Sequence, residues 1–169
     1  MMPPKEFVMD KKVAELLNSQ VNKEFYSAYL YLDFSDFYFE KGLFGYASWY
    51  RIQAGEELEH AKKMIQYLGE NGQHVTLEAI GKPNVPMKEL IDPLKAGLAH
   101  EKYITASIND IYAAAEDSKD YRTQEFLGWF IKEQGEEELD AGNQVRQFEM
   151  YGSDPKTLYL LDKAAGERK

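Results

Sequence analysis

Proline placement divides this chain into stretches that can be helical and stretches that cannot. A proline inside a helix removes a backbone hydrogen bond and clashes with the preceding turn, at a cost of about 3 kcal/mol. The six prolines here, Pro3, Pro4, Pro83, Pro86, Pro93 and Pro155, leave two long proline-free stretches, Lys5 to Lys82 and Leu94 to Asp154. Between them, Gly72 to Lys88 gathers Gly81, Pro83, Asn84, Val85 and Pro86 and reads as a connecting loop. Within the first half, Glu40-Lys41-Gly42-Leu43-Phe44-Gly45 marks a short turn, predicting helices near 11 to 40 and 44 to 70. In the second half, Asp92 before Pro93 fits an N-cap with proline at the first helical position, so a third helix is expected over about 92 to 117. Asp117-Ser118-Lys119-Asp120 is a polar turn, a fourth helix follows to about 150, and a short tail helix comes after Gly152-Ser153-Asp154-Pro155. Four long helices joined short, long, short predict an all-α four-helix bundle with one long crossover between the second and third helices. A strict up-down-up-down bundle or a coiled coil would not need so long a connection.

Composition narrows the class. With 20 Lys+Arg against 29 Asp+Glu the net charge is −9, the wrong sign for a nucleic-acid binder. The longest apolar runs, Ala28 to Leu32 and Ile111 to Ala115, fall far short of the roughly 20 residues needed to cross a bilayer. The first residues, Met1 to Glu6, lack the apolar segment of a secretory signal. The absence of cysteine removes disulfides, thiolate metal sites and cysteine nucleophiles. A single domain over 1–169 in a cytoplasmic protein is expected, of a length that buries a real core.

The helical faces carry the chemistry. Residues at i, i+3, i+4 and i+7 share one side of a helix. The inward line of the first helix reads Leu17, Val21, Glu24, Ala28, Tyr31, Ser35, and that of the second reads Tyr50, Ala54, Glu57, His60, Ala61, Met64, Leu68. The third gives Leu94, Leu98, Glu101, Thr105, Ile108, Tyr112, and the fourth Leu127, Phe130, Gln134, Glu137, Ala141, Val145. Each helix thus sets one glutamate near its middle on the face that should be apolar. An unpaired buried carboxylate costs several kcal/mol, and four of them would cost a large fraction of a domain's stability. Something positive must sit among them, and two divalent cations would balance the four charges. Oxygen-rich ligands with one imidazole suit iron or manganese, with zinc able to use the same groups. The Glu57-x-x-His60 pair on one face is the element that di-iron carboxylate bundles use.

At these residues the sequence resembles the non-heme bacterial and archaeal ferritins. The resemblance rests on Asn22-Lys23-Glu24-Phe25-Tyr26-Ser27, Glu56-Glu57-Leu58-Glu59-His60, His100-Glu101 and Glu133-Gln134-Gly135-Glu136-Glu137-Glu138, and on the tail Leu158 to Lys163, which is similar to that family's short fifth helix. It implies that Glu24, Glu57 and His60 hold a first iron, and that Glu57 bridges to a second completed by Glu101 and Glu137, with Gln134 alongside. It places Glu56, Glu133 and Glu136 at a third iron position. Tyr31, two turns from Glu24 on the same face, matches a tyrosine set beside the site, either as an electron donor or as a hydrogen-bonding group. Leu58 stands where heme-binding relatives carry a methionine, and Gln134-x-x-Glu137 replaces their second Glu-x-x-His, so no heme is expected. The resemblance further implies oxidation of Fe(II) with O2 or H2O2, storage of the ferric mineral and a homo-oligomeric cage of 24 subunits, without nucleic-acid or membrane partners. A di-iron or di-manganese oxidoreductase of the same fold, without storage, is the competing expectation.

Overall fold

The computed structural model describes Met2 and residues 6–169; Met1 and residues 3–5, part of the stretch over which no secretory signal is expected, lie outside the described residues. Five helices and no strand are present among the described residues: α1 (Lys11–Glu40), α2 (Phe44–Glu70), α3 (Asp92–Asp117), α4 (Tyr121–Tyr151) and α5 (Pro155–Ala165). The proline pattern therefore predicts the helical boundaries well, and the local reasons are visible at each end. Asp10 opens α1 by accepting the backbone N–H groups of Lys12 and Val13 at 2.9 and 3.3 Å. Gly42, at φ +76°, closes it, with Gly42 N–H donating to Phe39 O and Leu43 N–H to Tyr38 O. Gly72, at φ +72°, ends α2 in the same way. Asp120 caps α4 through Thr123 N–H at 3.0 Å, and Asp154 caps α5 ahead of Pro155.

Two local expectations are corrected. Asp92 is not the N-cap of α3 but its first residue, and its Oδ2 accepts the N–H groups of Lys88 and Glu89 at 2.8 and 2.7 Å. It ties down the end of the crossover instead of capping the helix. The buried ridge of α3 also runs through Gly97, Ile104 and Ile111 rather than Leu98, Thr105 and Tyr112, which are only half-buried. Both lines fit a helical period, and Gly97 decides between them: a Cβ there would sit 3.1 Å from the Tyr50 hydroxyl. The missing side chain lets the rings of Tyr50 and Tyr31 reach α3.

The core is split in two along the bundle. One cluster joins Val13, Leu17, Val21, Met64, Leu68, Ile104, Ile108, Ile111, Leu127 and Phe130; the other joins Leu30, Tyr31, Phe34, Tyr38, Tyr46, Tyr50, Leu94 and Val145. Chain order through these clusters fixes the helix directions. Helix α1 runs from the first cluster to the second, α2 and α3 both return toward the first, and α4 runs with α1. Because α2 and α3 are parallel, their connection must travel the bundle's length, about 40 Å at 1.5 Å per residue for the 27 residues of α2. The crossover is held at both ends. Asn18 and Asn22 bind the backbone of Thr76 and Glu78 at 2.8 to 3.2 Å, and the Tyr38 hydroxyl donates to Leu90 O at 2.7 Å. Helix α5 packs on the start of α2, where Asp162 Oδ1 accepts Tyr46 N–H at 2.9 Å and supplies the cap that Leu43 lacks. The contact is so close that a Cβ on Gly45 would fall 1.6 Å from Asp162 O.

Candidate metal centre

Between the two apolar clusters lies a polar layer. Glu24, Glu57, His60, Glu101, Gln134 and Glu137 are all buried in it, none more than 6% exposed. Glu24 and Glu57 with His60 offer ligand atoms that all lie within 4.8 Å of one another, and His60, Glu133 and Glu137 form a second such group. His60 Nδ1 is 3.2 Å from Glu57 Oε2 and 4.0 Å from Glu24 Oε2. Glu24 Oε2 itself has no hydrogen-bond partner, the only buried side-chain oxygen or nitrogen among the described residues in that position. A native fold rarely leaves such an atom orphaned. Its orphaning beside two further ligand groups points to a cation as the missing partner.

The layer is orientated by amides that the sequence reading did not single out. Gln20 Nε2 donates to Glu24 Oε1 at 2.8 Å, and is itself held by Ser107 Oγ, which donates to Gln20 Oε1 at 2.6 Å. Gln53 Nε2 donates to both Glu57 Oε1 and Glu137 Oε2, at 3.0 and 2.8 Å, bridging carboxylates from α2 and α4. The signal was available: each amide stands four residues before a predicted ligand glutamate, a spacing at which Gln and an acid meet on one face. Glu101 is gripped from two sides, by the Tyr31 hydroxyl on Oε1 and by Gln134 Nε2 on Oε2 at 3.1 Å. Tyr31 thus touches the site through Glu101.

Without a metal the layer resists ionisation. Burial pushes the carboxyls of Glu24, Glu57, Glu101 and Glu137 upward, and Glu24 and Glu57 are raised further by neighbouring carboxylates. Glu137 is pushed up to about 8, by burial first and by Glu101 next. Burial, with Glu101 beside it, also raises Tyr31 well above the usual phenol range, so its hydroxyl stays protonated and donates.

The three residues expected at a further position separate. Glu56 and Glu133 line one open cleft with Glu59, His60, Lys63 and Trp129. Glu56 is already paired there, with Arg168 Nη2 at 2.5 Å from its Oε2. Glu136 is exposed and lines no part of this cleft. It stands one helical turn from Glu133 and about 100° around α4 from Glu137, more exposed than either.

Residues 14–151 match the ferritin-like domain family. The bacterial non-heme ferritin of Campylobacter jejuni is 39% identical over 156 residues, spanning 92% of this chain and 93% of that protein. The bacterial non-heme ferritin of Staphylococcus haemolyticus is 33% identical, spanning 95% and 97%. Among solved structures, the open pore ferritin of the hyperthermophilic archaeon Archaeoglobus fulgidus superposes with a TM-score of 0.93 at 36% identity, covering 95% of this chain and 99% of that one. An all-α bundle with its crossover, a mid-bundle layer of glutamates from all four helices and sequence identity along nearly the whole length converge on one assignment: the chain belongs to the ferritin family.

Proposed function

We propose that this chain is one subunit of an iron-storage cage that oxidises Fe(II) inside each bundle and deposits the ferric product as mineral. The observation that carries the reading is the orphaned Glu24 Oε2, buried beside Glu57 and His60 in a layer of four carboxylates. Iron is here both substrate and cargo. Glu24, Glu57 and His60 take one Fe(II), and Glu57 is shared with a second taken by Glu101 and Glu137. Two ferrous ions supply two electrons to one O2, which with two protons leaves as hydrogen peroxide; peroxide is itself competent as oxidant.

The chain's part is electrostatic and geometric. The raised carboxyls carry protons before iron arrives, so iron binding releases protons at neutral pH. Gln53 keeps Glu57 and Glu137 facing one another, while Tyr31 and Gln134 hold the two oxygens of Glu101. Storage requires that the product leave. A neutral Gln134 in place of a charged ligand weakens the hold on the second ion, and Glu56 with Glu133 provides an acidic third position on the adjoining cleft.

The outer surface supports assembly. Tyr29, Leu32, Phe39, Phe44, Tyr103 and Tyr121 are large apolar residues left exposed on the single chain, as subunit contacts are. We assign a homo-oligomeric cage, of 24 copies by family resemblance, acting in the cytoplasm. No helix among the described residues is long and apolar enough to cross a membrane. Aerobic Fe(II) loading of the metal-free protein, followed by gel filtration and an iron count, tests the reading. Many more than three irons per chain in one very large particle are expected. Saturation at about two in a small oligomer would replace storage with a di-iron oxidoreductase.

A further inference from the structure

Arg168 follows α5 and returns to the bundle beside α2. Nη2 donates to Glu56 Oε2 at 2.5 Å, Nη1 donates to Gln53 Oε1 at 2.8 Å, and the guanidinium lies 4.3 Å over the Trp49 ring. The segment that carries it is anchored, because Gly166 packs against Gly45, with a Cβ on Gly166 falling 3.1 Å from Gly45 Cα. Two of its partners matter to the site. Glu56 is one of the two carboxylates given to the third position, and Gln53 is the amide that bridges Glu57 and Glu137. A guanidinium is permanently charged and presents a planar fork of donors suited to such acceptors. A metal ion and this fork compete for the same carboxylate.

We propose that Arg168 is a tethered cation that occupies Glu56 until a metal ion displaces it, and that its departure frees the carbonyl of Gln53, the amide that bridges Glu57 and Glu137. The proposal rests on the assignment of Glu56 and Glu133 to a third cation. In the unloaded state the fork neutralises Glu56 and fixes the Gln53 amide with its N–H groups toward Glu57 and Glu137. An arriving cation at Glu56 breaks both contacts with Arg168 together, so filling the cleft is reported to the bridging amide one side chain away. Nothing in the four-carboxylate layer need move for this to occur.

Redox-inert zinc(II) tests the proposal on the assembled metal-free protein, compared with Arg168→Ala. Calorimetry should resolve two tight equivalents per chain that are the same in both proteins, and a third that binds about tenfold more tightly in the variant. That factor corresponds to the roughly 1.4 kcal/mol of a part-exposed charged hydrogen-bond pair. In a Trp129→Phe background, where Trp49 is the sole indole, the third equivalent should shift Trp49 emission to the red as the guanidinium leaves its face, and Arg168→Ala should abolish the shift. A third equivalent bound equally in both proteins, with Trp49 silent, would overturn the displacement while leaving the third position standing. Two equivalents only, in both proteins, would overturn the third position and the proposal together.

Discussion

Replacing Glu137 with glutamine should make the metal-free protein more stable while impairing its iron chemistry. Glu137 is buried, faces Glu101, and has its carboxyl pushed from an ordinary 4.5 up to about 8. In the unfolded chain it ionises near 4.5, so between these values the folded state holds a proton that the unfolded state has lost. The contribution is therefore fully present below pH 4.5 and is lost as the pH rises toward 8. At pH 7 about 2.5 pH units separate the solution from the unfolded value, which at about 1.36 kcal/mol each amounts to roughly 3 kcal/mol. Glutamine is neutral at every pH, and its carbonyl oxygen can still accept from Gln53, which now donates to Glu137 Oε2 at 2.8 Å. At about 2 to 4 °C per kcal/mol for a chain of this size, Glu137→Gln should raise the melting temperature at pH 7 by roughly 6 to 12 °C. The assay is calorimetric melting of both metal-free proteins at matched concentration from pH 4 to pH 8. The difference should vanish at pH 4 and widen with pH, and saturating zinc(II) should reverse its sign, because the variant offers the cation one ligand fewer. A difference that is constant across pH, or a variant less stable than the parent at pH 8, would refute the picture of a frustrated carboxylate layer.

Glu57→Ala should abolish rapid Fe(II) oxidation, since it removes the group proposed to serve both iron positions; stopped-flow absorbance of the ferric product reads this directly. Gln53→Leu leaves Glu57 and Glu137 without their common donor and should weaken zinc(II) at the main positions by about 10 to 100-fold in calorimetry, the range found when groups that orient metal ligands are lost. Gly45→Ala must push Asp162 away from the start of α2, which should cost about 1 to 3 kcal/mol and expose α5 to proteolysis while the four long helices keep their circular dichroism.

The helices were legible because their ends are written in local chemistry: Gly42 and Gly72 at positive φ, Asp10, Asp120 and Asp154 as caps, and no proline inside a helix beyond its first turn. Glutamates on apolar faces were equally legible, since only one face of each helix is available for a core. What escaped is set by three-dimensional neighbours. Whether α3 buries residue 97 or 98 depends on Tyr50 arriving from another helix, and a glycine is invisible to a pattern that counts large apolar side chains. Gln20 and Gln53 are the exception, readable from their place four residues before Glu24 and Glu57 on the same helical face. Arg168 reaches Glu56 across 112 positions of chain, a distance over which no periodicity carries information. Asp92 satisfied the cap pattern in composition, yet the turn ahead of it captured its carboxylate first.

The division of the apolar core into two clusters bears on how the bundle breathes. Each cluster is an apolar, buried end, whereas the layer between them holds carboxyls whose ionisation is opposed by burial and by one another. Amide hydrogen exchange in the metal-free protein should therefore follow no simple gradient from ends to centre. The middle turns of the helices, around Glu24, Glu57, Glu101 and Glu137, form a soft waist between two rigid ends, opening at lower free energy than the turns that flank them. On the proposed reading, metal loading should stiffen that waist, so that filling and emptying the site becomes a rhythm of local rigidity.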